Sequence, residues 1–168
     1  MATRIELLAD HPGVVPTLEQ WVHTAWPTPG HGVTDRAGLF MHCLNRDRVP
    51  LTLVALVGDT PVGTVSLLDR SIASHEHLHP WVASLYVAEH WRHAGLATRL
   101  VDGAAAAARR LGLPALYIGV AAAAGTHYQR LGWQYLAEGR SGEDPSDRVD
   151  VLCRRLSGAR SGGRRDGC

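Results

Sequence analysis

Hydrophobic residues recur along this chain with two different periods, and the changes between these periods predict the order of its elements. Apolar residues at every position or every second position predict a strand, whereas apolar residues three and four apart predict a helix. The first half is thus predicted to hold a strand at 3–9, helices at 12–26 and 35–46, and a hairpin of strands 51–57 and 61–68. The apolar faces predicted for the two helices are Val15, Leu18, Trp21 and Val22, and Leu39, Phe40, Cys43 and Leu44.

The second half alternates strands and helices. Residues 81–87 are apolar, aromatic or small and carry no charge, which is typical of a buried strand. A turn follows, and then an amphipathic helix that we expect to end near Gly112. Beyond it the pattern predicts a strand at 115–119, a helix at 121–130, and strands at 133–137 and 148–156 around a polar loop at 139–147. Residues 157–168 are rich in Gly, Ser and Arg, and we expect them to be disordered.

The turn after residues 81–87 carries the most specific chemical signal. Arg92, Gly95 and Ala97 follow the spacing Arg-x-x-Gly-x-Ala at the start of the predicted amphipathic helix. The first N–H groups of a helix lack intrahelical acceptors and lie at the positive end of its dipole, so such a turn is suited to phosphate. Small residues let the backbone approach a diphosphate closely, and Arg92 can add a cationic donor.

This turn resembles the acetyl-CoA signature of the GNAT family of N-acetyltransferases, which reads Arg or Gln, two residues, Gly, one residue, then Gly or Ala. The resemblance implies that acetyl-CoA is the co-substrate and that no metal is needed. It also implies that backbone groups of Leu85, Tyr86 and Val87 pair with the pantetheine arm. The residues implied at the diphosphate are Arg92, His93, Ala94, Gly95, Leu96, Ala97 and Thr98.

A second landmark supports the same resemblance. Residues 127–133 are similar to the family's short helix with a Tyr before a Leu-Gly-aromatic exit, which implies that Tyr128 protonates the departing thiolate. A phenol with a pKa of about 10 keeps its proton at neutral pH. The resemblance implies an α/β (α+β) fold: a mixed, mostly antiparallel sheet of six to seven strands with about four helices, splayed at the cofactor strand. It further implies direct attack of a primary amine through a tetrahedral oxyanion.

The proton acceptor differs from that of many relatives. Many members of the family carry Glu or Asp on the cofactor strand where this chain has Ala83, and no carboxylate occurs elsewhere on that strand. Just upstream, Glu76, His77 and His79 form a dense titratable group, and an imidazole with an unperturbed pKa of about 6.5 accepts protons at physiological pH. These three residues are our candidate base, with His127 as a further option. The segment is equally explained as a solvated loop.

The resemblance implies that the acceptor meets residues 21–32, the His-rich segment and the loop at 139–147. Trp26, Glu143 and Asp144 would suit a small cationic amine through cation–π and ionic contacts. Carboxylates on a surface loop are otherwise simply solvated. We therefore predict a small-molecule amine as the partner, with its identity open.

Composition agrees with one compact domain. With 168 residues, 45% hydrophobic and 20% charged, the chain is predicted to form a single domain over residues 1–156. A formal net charge of +1 argues against nucleic-acid or membrane binding driven by charge. Cys43, Cys153 and Cys168 lack metal-ligand spacing, and the first residues do not resemble a secretion signal. We expect a cytoplasmic protein that is a monomer or homodimer.

Two alternatives use the same residues differently. On an extended segment His75, His77 and His79 would point to one face, where they could bind zinc in a hydrolase. Alternatively, the missing strand carboxylate would suit a sensor that binds acetyl-CoA without catalysis. A zinc measurement would test the first alternative, and an acetylation assay the second.

Overall fold

The computed structural model describes residues 2–27, 38–141 and 146–156, which contain seven strands and three α-helices. The strands form one mixed sheet in the order β1-β2-β3-β4-β5-β7-β6. The pairs β1/β2, β2/β3, β5/β7 and β6/β7 are antiparallel, whereas β4/β5 is parallel. The strands are β1 (Arg4–Leu7), β2 (Leu51–Val57), β3 (Thr60–Leu68), β4 (Trp81–Val87), β5 (Ala115–Val120), β6 (Gln134–Arg140) and β7 (Arg148–Arg155), and the helices are α1 (Val15–Ala25), α2 (Leu96–Arg110) and α3 (Ala122–Arg130).

This architecture confirms the predicted fold class. The sheet is mostly antiparallel with seven strands, and β4 pairs with β5 at the single position Trp81↔Tyr117. So short a pairing agrees with the predicted opening of the sheet at β4. None of the helices in the described residues is long and apolar enough to cross a membrane.

The chain divides into two compact units. The first unit consists of Met1–Leu67 and Ser84–Ala104, and the second of Leu68–Ala83 and Ala105–Cys168. Both β4 and α2 therefore contribute residues to each unit.

In the first unit, α1 packs its predicted apolar face against β2. Trp21 lies half-buried at the edge of this core, whose buried members are Leu8, Val15, Leu18, Val22, Phe40, Val54 and Leu56. Helix α2 comes close to β1 and β2, because a Cβ atom at Gly103 would lie 3.2 Å from Leu53 Cδ1 and 3.3 Å from Ile5 Cγ2.

Gly63 on β3 makes a still closer approach. A Cβ atom there would lie 3.0 Å from Leu100 Cδ1 on α2 and 3.0 Å from the carbonyl oxygen of Tyr86 on β4. Such distances leave no room for a methyl group without a shift of its neighbours. Gly63 therefore lets β3 approach both the end of β4 and the first turns of α2.

The second unit has its own apolar cluster around Trp81. The indole N–H of Trp81 donates to the carbonyl of Leu78 at 2.6 Å, which satisfies the polar atom of a fully buried ring. The other buried members of the cluster are Ile72, Leu78, Ala115, Tyr117, Val151 and Cys153. Gly119 and Gly139 lie beneath the Ile72 side chain, since a Cβ at either position would meet it at 2.5 Å and 3.1 Å.

The helix predicted at 35–46 is wrong in its described part. Residues 38–40 form a turn, Met41–Cys43 a single 3-10 turn, and Leu44 already bridges to Leu51. Gly38 has a φ of +98°, which interrupts a right-handed helix, and its N–H donates to Glu19 Oε1 at 2.8 Å. Leu39 was predicted to face inward but is exposed, whereas Phe40 and Cys43 are buried.

Several predicted boundaries shift. Residues 8–10 form a 3-10 turn instead of continuing the first strand, and α1 begins at Val15 after a second such turn. Strand β6 continues to Arg140, so two residues predicted to lie in the following loop pair with β7. The predictions of loops at 28–32 and 142–145, of a helix start at 35–37 and of disorder at 157–168 lie outside the described residues.

Candidate active site

The end of β4 contains an unexpected backbone conformation. Ser84 has a φ of +51°, in the left-handed region that serine seldom adopts. Leu85, Tyr86 and Val87 follow it as extended strand, and all three are only partly buried. These are the residues whose backbone the sequence predicts to pair with pantetheine.

The turn at residues 88–95 leads from β4 into α2 through two left-handed residues. His93 has a φ of +62° and Gly95 a φ of +75°. The first hydrogen bond of α2 runs from the N–H of Arg99 to the carbonyl of Gly95, at 3.1 Å. The N–H groups of Leu96, Ala97 and Thr98 precede this bond and therefore have no intrahelical acceptor. A helix start with these properties is suited to an anion.

The side chains of this turn leave the amides accessible. Residues 92–95, 97 and 98 are exposed, and Leu96 alone is buried, anchoring the helix to the first unit. A Cβ atom at Gly95 would meet nothing within 4 Å. The requirement for glycine there comes from its positive φ and not from crowding by the protein. The residues present thus fit a diphosphate: small, open and rich in unpaired donors.

Arg92 makes contacts that its sequence position did not reveal. Its Nε–H donates to the carbonyl of Val87 at 2.9 Å, and its guanidinium lies over the Tyr86 ring at 5.6 Å from the centroid. The Tyr86 ring is also stacked with Trp21 of α1, with centroids 5.0 Å apart and planes at 26°. The sequence predicts Trp21 as a core residue and Tyr86 as a backbone contact, so this stacking was missed.

Tyr128 lies on α3, as predicted. Its half-buried ring makes edge contacts with Trp133 and His127, with centroids 6.2 Å and 5.7 Å away. Burial raises the pKa of the Tyr128 phenol above its usual value of about 10. The phenol therefore keeps its proton throughout the neutral range, as a general acid must. The carbonyl of Tyr128 accepts N–H groups of Leu131 and Trp133, which fix the exit from the helix.

The predicted base group is solvent-accessible. Glu76, His77 and His79 are exposed. His75 is half-buried instead, and its Nδ1 lies 2.8 Å from the hydroxyl of Ser74. That hydroxyl also accepts the backbone N–H of Arg140 at 2.9 Å. Ser74 and His75 are thus held against the end of β6, next to one of the loops predicted to meet the acceptor.

The zinc alternative depended on an extended His-rich segment, and this conformation is not found. Ala73–His75 form a 3-10 turn and Glu76 follows with helical angles, so His75, His77 and His79 do not alternate along a strand. The rings of His75 and His77 are 5.9 Å apart and tilted by 34°. Within the part of the chain that the structure describes, no three His, Cys, Asp or Glu side chains form a group able to hold a metal ion.

Of the predicted acceptor residues, the structure describes Trp26 alone. It follows the last residue of α1 and is 47% exposed, so an aromatic face is available to a ligand. Glu143 and Asp144 lie outside the described residues. The site features that the sequence did not reveal are the left-handed Ser84, the Trp21–Tyr86–Arg92 contacts and the Ser74–His75 pair. The Trp21–Tyr86–Arg92 contacts depend on residues brought together by folding, and no sequence pattern indicated the other two features.

Comparison with known proteins gives the family. The acetyltransferase (GNAT) family model matches residues 11–133. A comparison with functionally curated protein sequences gave no significant match.

Solved structures agree on the fold. An aminoglycoside 6'-N-acetyltransferase complexed with coenzyme A has a TM-score of 0.70 at 14% identity, covering 97% of this chain and 99% of that chain. Ard1 from Thermoplasma volcanium has a TM-score of 0.69 at 14% identity, covering 93% and 99%. An IAA acetyltransferase from Bacillus cereus has a TM-score of 0.63 at 18% identity, covering 92% and 100%. Because the family model matches most of its length, the chain belongs to the GNAT family of acetyltransferases and is an acyltransferase.

Proposed function

We propose that this acyltransferase moves the acetyl group of acetyl-CoA to a primary amine of a small cationic molecule. The observation that carries the proposal is the start of α2, where unpaired amides follow two left-handed residues and the turn's own side chains are exposed. That combination suits the diphosphate of coenzyme A. The solved structure of an aminoglycoside 6'-N-acetyltransferase complexed with coenzyme A supports this choice.

In the proposed reaction the main chain contributes most of the binding. The amides of Leu96, Ala97 and Thr98 hold the diphosphate, and the backbone of residues 85–87 pairs with the pantetheine arm. An N–H group of the same strand stabilises the oxyanion that develops at the thioester carbonyl. Loss of one such donor typically costs about 3 kcal/mol of transition-state stabilisation.

The proposed proton transfers depend on side chains. An alkyl amine with a pKa of about 10.4 needs roughly 4 to 5 kcal/mol to lose its proton near pH 7, so a base is useful. Glu76, His77 and His79 remain the proposed base group, and we add His75 because Ser74 orients its ring. Tyr128 gives its proton to the departing thiolate, and its raised pKa supports this role.

The exposure of Trp26 supports the proposal that the acceptor is cationic. An exposed indole can bind an ammonium group by a cation–π contact, worth about 0.5–1 kcal/mol at an exposed site. Glu143 and Asp144 remain the proposed ionic partners of the acceptor. We propose that residues 1–156 act as a single catalytic domain.

The test is a screen of polyamines, aminoglycosides, amino-acid-like amines and N-terminal peptides with acetyl-CoA. Free thiol release reports turnover, and mass spectrometry identifies the acetylated product. All 17 basic residues are Arg, so the protein has no lysine amine to give a self-acetylation background. Thiol release with an acetylated amine supports the proposal. Tight binding of acetyl-CoA without turnover of any amine would contradict it and favour the sensor.

A further inference from the structure

Tyr86 is contacted by two groups from different parts of the first unit. The Trp21 ring of α1 stacks with it at 5.0 Å, and the Arg92 guanidinium lies over it at 5.6 Å. Stacked aromatic pairs and cations over an aromatic face are each worth about a two- to tenfold change in an equilibrium constant. Tyr86 therefore links α1, β4 and the turn at 88–95 through side chains, in addition to its backbone role.

The hydrogen bonds of the turn also hold it to β4 and β3. Arg92 Nε–H donates to the carbonyl of Val87, the last residue of β4, and so closes the segment 88–91 into a loop. Within that loop the N–H of Trp91 donates to the carbonyl of Ala88 at 2.8 Å. The N–H of Ala88 donates to the carbonyl of Val62 on β3 at 3.0 Å. These bonds thus hold residues 88–92 in place ahead of the left-handed His93 and Gly95.

We propose that Arg92 is a positioning residue, which holds the turn on the end of β4 through its Nε–H and through its guanidinium over the Tyr86 ring. Tyr86, supported by Trp21, is the surface on which Arg92 rests. A direct charge contact of Arg92 with the diphosphate is then secondary, because its Nε–H and its guanidinium serve the protein itself. This inference deepens the proposed function and rests on coenzyme A binding to the turn.

Two substitutions separate geometry from charge. In glutamine the Nε2 atom occupies the same place along the side chain as Nε of arginine, so Arg92→Gln keeps a planar N–H donor and loses the charge. In lysine a methylene stands at that place, so Arg92→Lys keeps the charge and loses both the donor and the planar group. Direct charge pairing with a phosphate would favour lysine, whereas a positioning role favours glutamine.

The experiment is calorimetric titration of the purified full chain and both variants with coenzyme A, at low and high salt. We expect Arg92→Gln to bind within about fivefold of the unchanged protein, because it loses only an exposed cation–π contact. Arg92→Lys should bind at least about tenfold more weakly, as loss of a well-formed hydrogen bond predicts. The salt dependence of binding should be the same in Arg92→Gln and the unchanged protein. Any other order of the two variants, or equal affinity of both, overturns the proposal.

Tyr86 supplies a second readout. Tyr86→Leu removes the aromatic ring that Trp21 and Arg92 contact, and it should weaken coenzyme A binding about as much as Arg92→Lys. The two weakening substitutions should not add when combined, because they break one assembly. Additive losses would contradict the assembly. Absence of coenzyme A binding by the unchanged protein would instead reject the proposed function, so the two failures are distinguishable.

Discussion

The turn before α2 and the segments around α3 differ in which atoms carry the chemistry. At the turn, the groups proposed to bind a ligand are the main-chain amides of residues 96–98, and residues 92–95, 97 and 98 are exposed. In the second unit, the candidate groups are side chains: the Tyr128 phenol on α3 and the His75 imidazole beside Ser74.

Because of this difference, different substitutions should impair the two regions. Binding by amides depends on backbone angles, so it is sensitive to any residue that cannot adopt a positive φ. Proton transfer depends on one side-chain atom and its surroundings, so conservative changes that remove only that atom are the informative ones. The following substitutions test this distinction.

The largest effect is expected for Gly95→Val. Its φ of +75° strains a β-branched residue, and relief of that strain would displace the amides that follow. Coenzyme A affinity should fall by at least about 100-fold, equivalent to about 2.7 kcal/mol, as measured by calorimetry.

Gly112→Val is the matched control for Gly95→Val. Gly112 has a φ of +74° and equally open surroundings, but it follows the other end of α2. Both variants should lose a similar free energy of unfolding, about 1–3 kcal/mol in denaturant titrations. Gly95→Val should also lose affinity, whereas Gly112→Val should not. Equal affinities would contradict a diphosphate site at this turn.

A smaller effect, about 100-fold on kcat, is expected for Tyr128→Phe. General acid catalysis typically contributes about this much, and the substitution leaves the ring contacts with Trp133 in place. The KM for acetyl-CoA should change by less than about threefold, since the phenol is proposed to act only on the departing thiolate. Tyr135→Phe, at an exposed ring on β6, is the control. Unchanged turnover would remove Tyr128 from the mechanism.

The raised pKa of Tyr128 fixes the direction of the pH dependence. Desolvation disfavours the phenolate, so the proton-donating form persists above the usual pKa of about 10. In steady-state assays kcat should therefore show no loss from phenol ionisation up to about pH 10. A loss of this kind near pH 8 that disappears in Tyr128→Phe would contradict the assigned direction.

The smallest effect, about tenfold on kcat/KM near neutral pH, is expected for His75→Gln. Its neighbours Glu76, His77 and His79 are exposed, and water can replace part of its role. Because a base acts only when deprotonated, the acid limb of the pH profile should weaken in this variant. Ser74→Ala should reproduce part of the loss, and His42→Gln, at an exposed histidine of another turn, should have none. Full activity in His75→Gln would contradict a role of His75 as the base and leave Glu76, His77 and His79 as the proposed base group.

Much of the fold was predictable because the apolar periods are strong. Strand β4 was predicted with its observed bounds, and the hairpin of β2 and β3 differs by one residue at Thr60. The helix predicted at 35–46 failed where Gly38 takes a left-handed angle, which outweighed the apolar spacing of its neighbours. The single domain over residues 1–156 stays a prediction.

The turn before α2 and the place of Tyr128 on α3 were the predictable parts of the candidate site. Glycine at 95 is a local signal for a positive φ, so the sequence indicates the turn directly. Ser84 and His93 take the same region without a glycine, and no local signal predicts them. The Ser74–Arg140 bond joins residues 66 positions apart, so it follows from the packing of the sheet and not from either segment.

The close approach at Gly63 has a consequence for which substitutions this protein tolerates. Its missing methyl group lets the Tyr86 carbonyl and Leu100 lie where a side chain would be. Alanine at this position would act as a wedge between the hairpin and two elements proposed to bind the coenzyme, although it would touch no ligand. Laboratory evolution toward a different acyl donor should therefore leave residue 63 unchanged while replacing much of the surface around it.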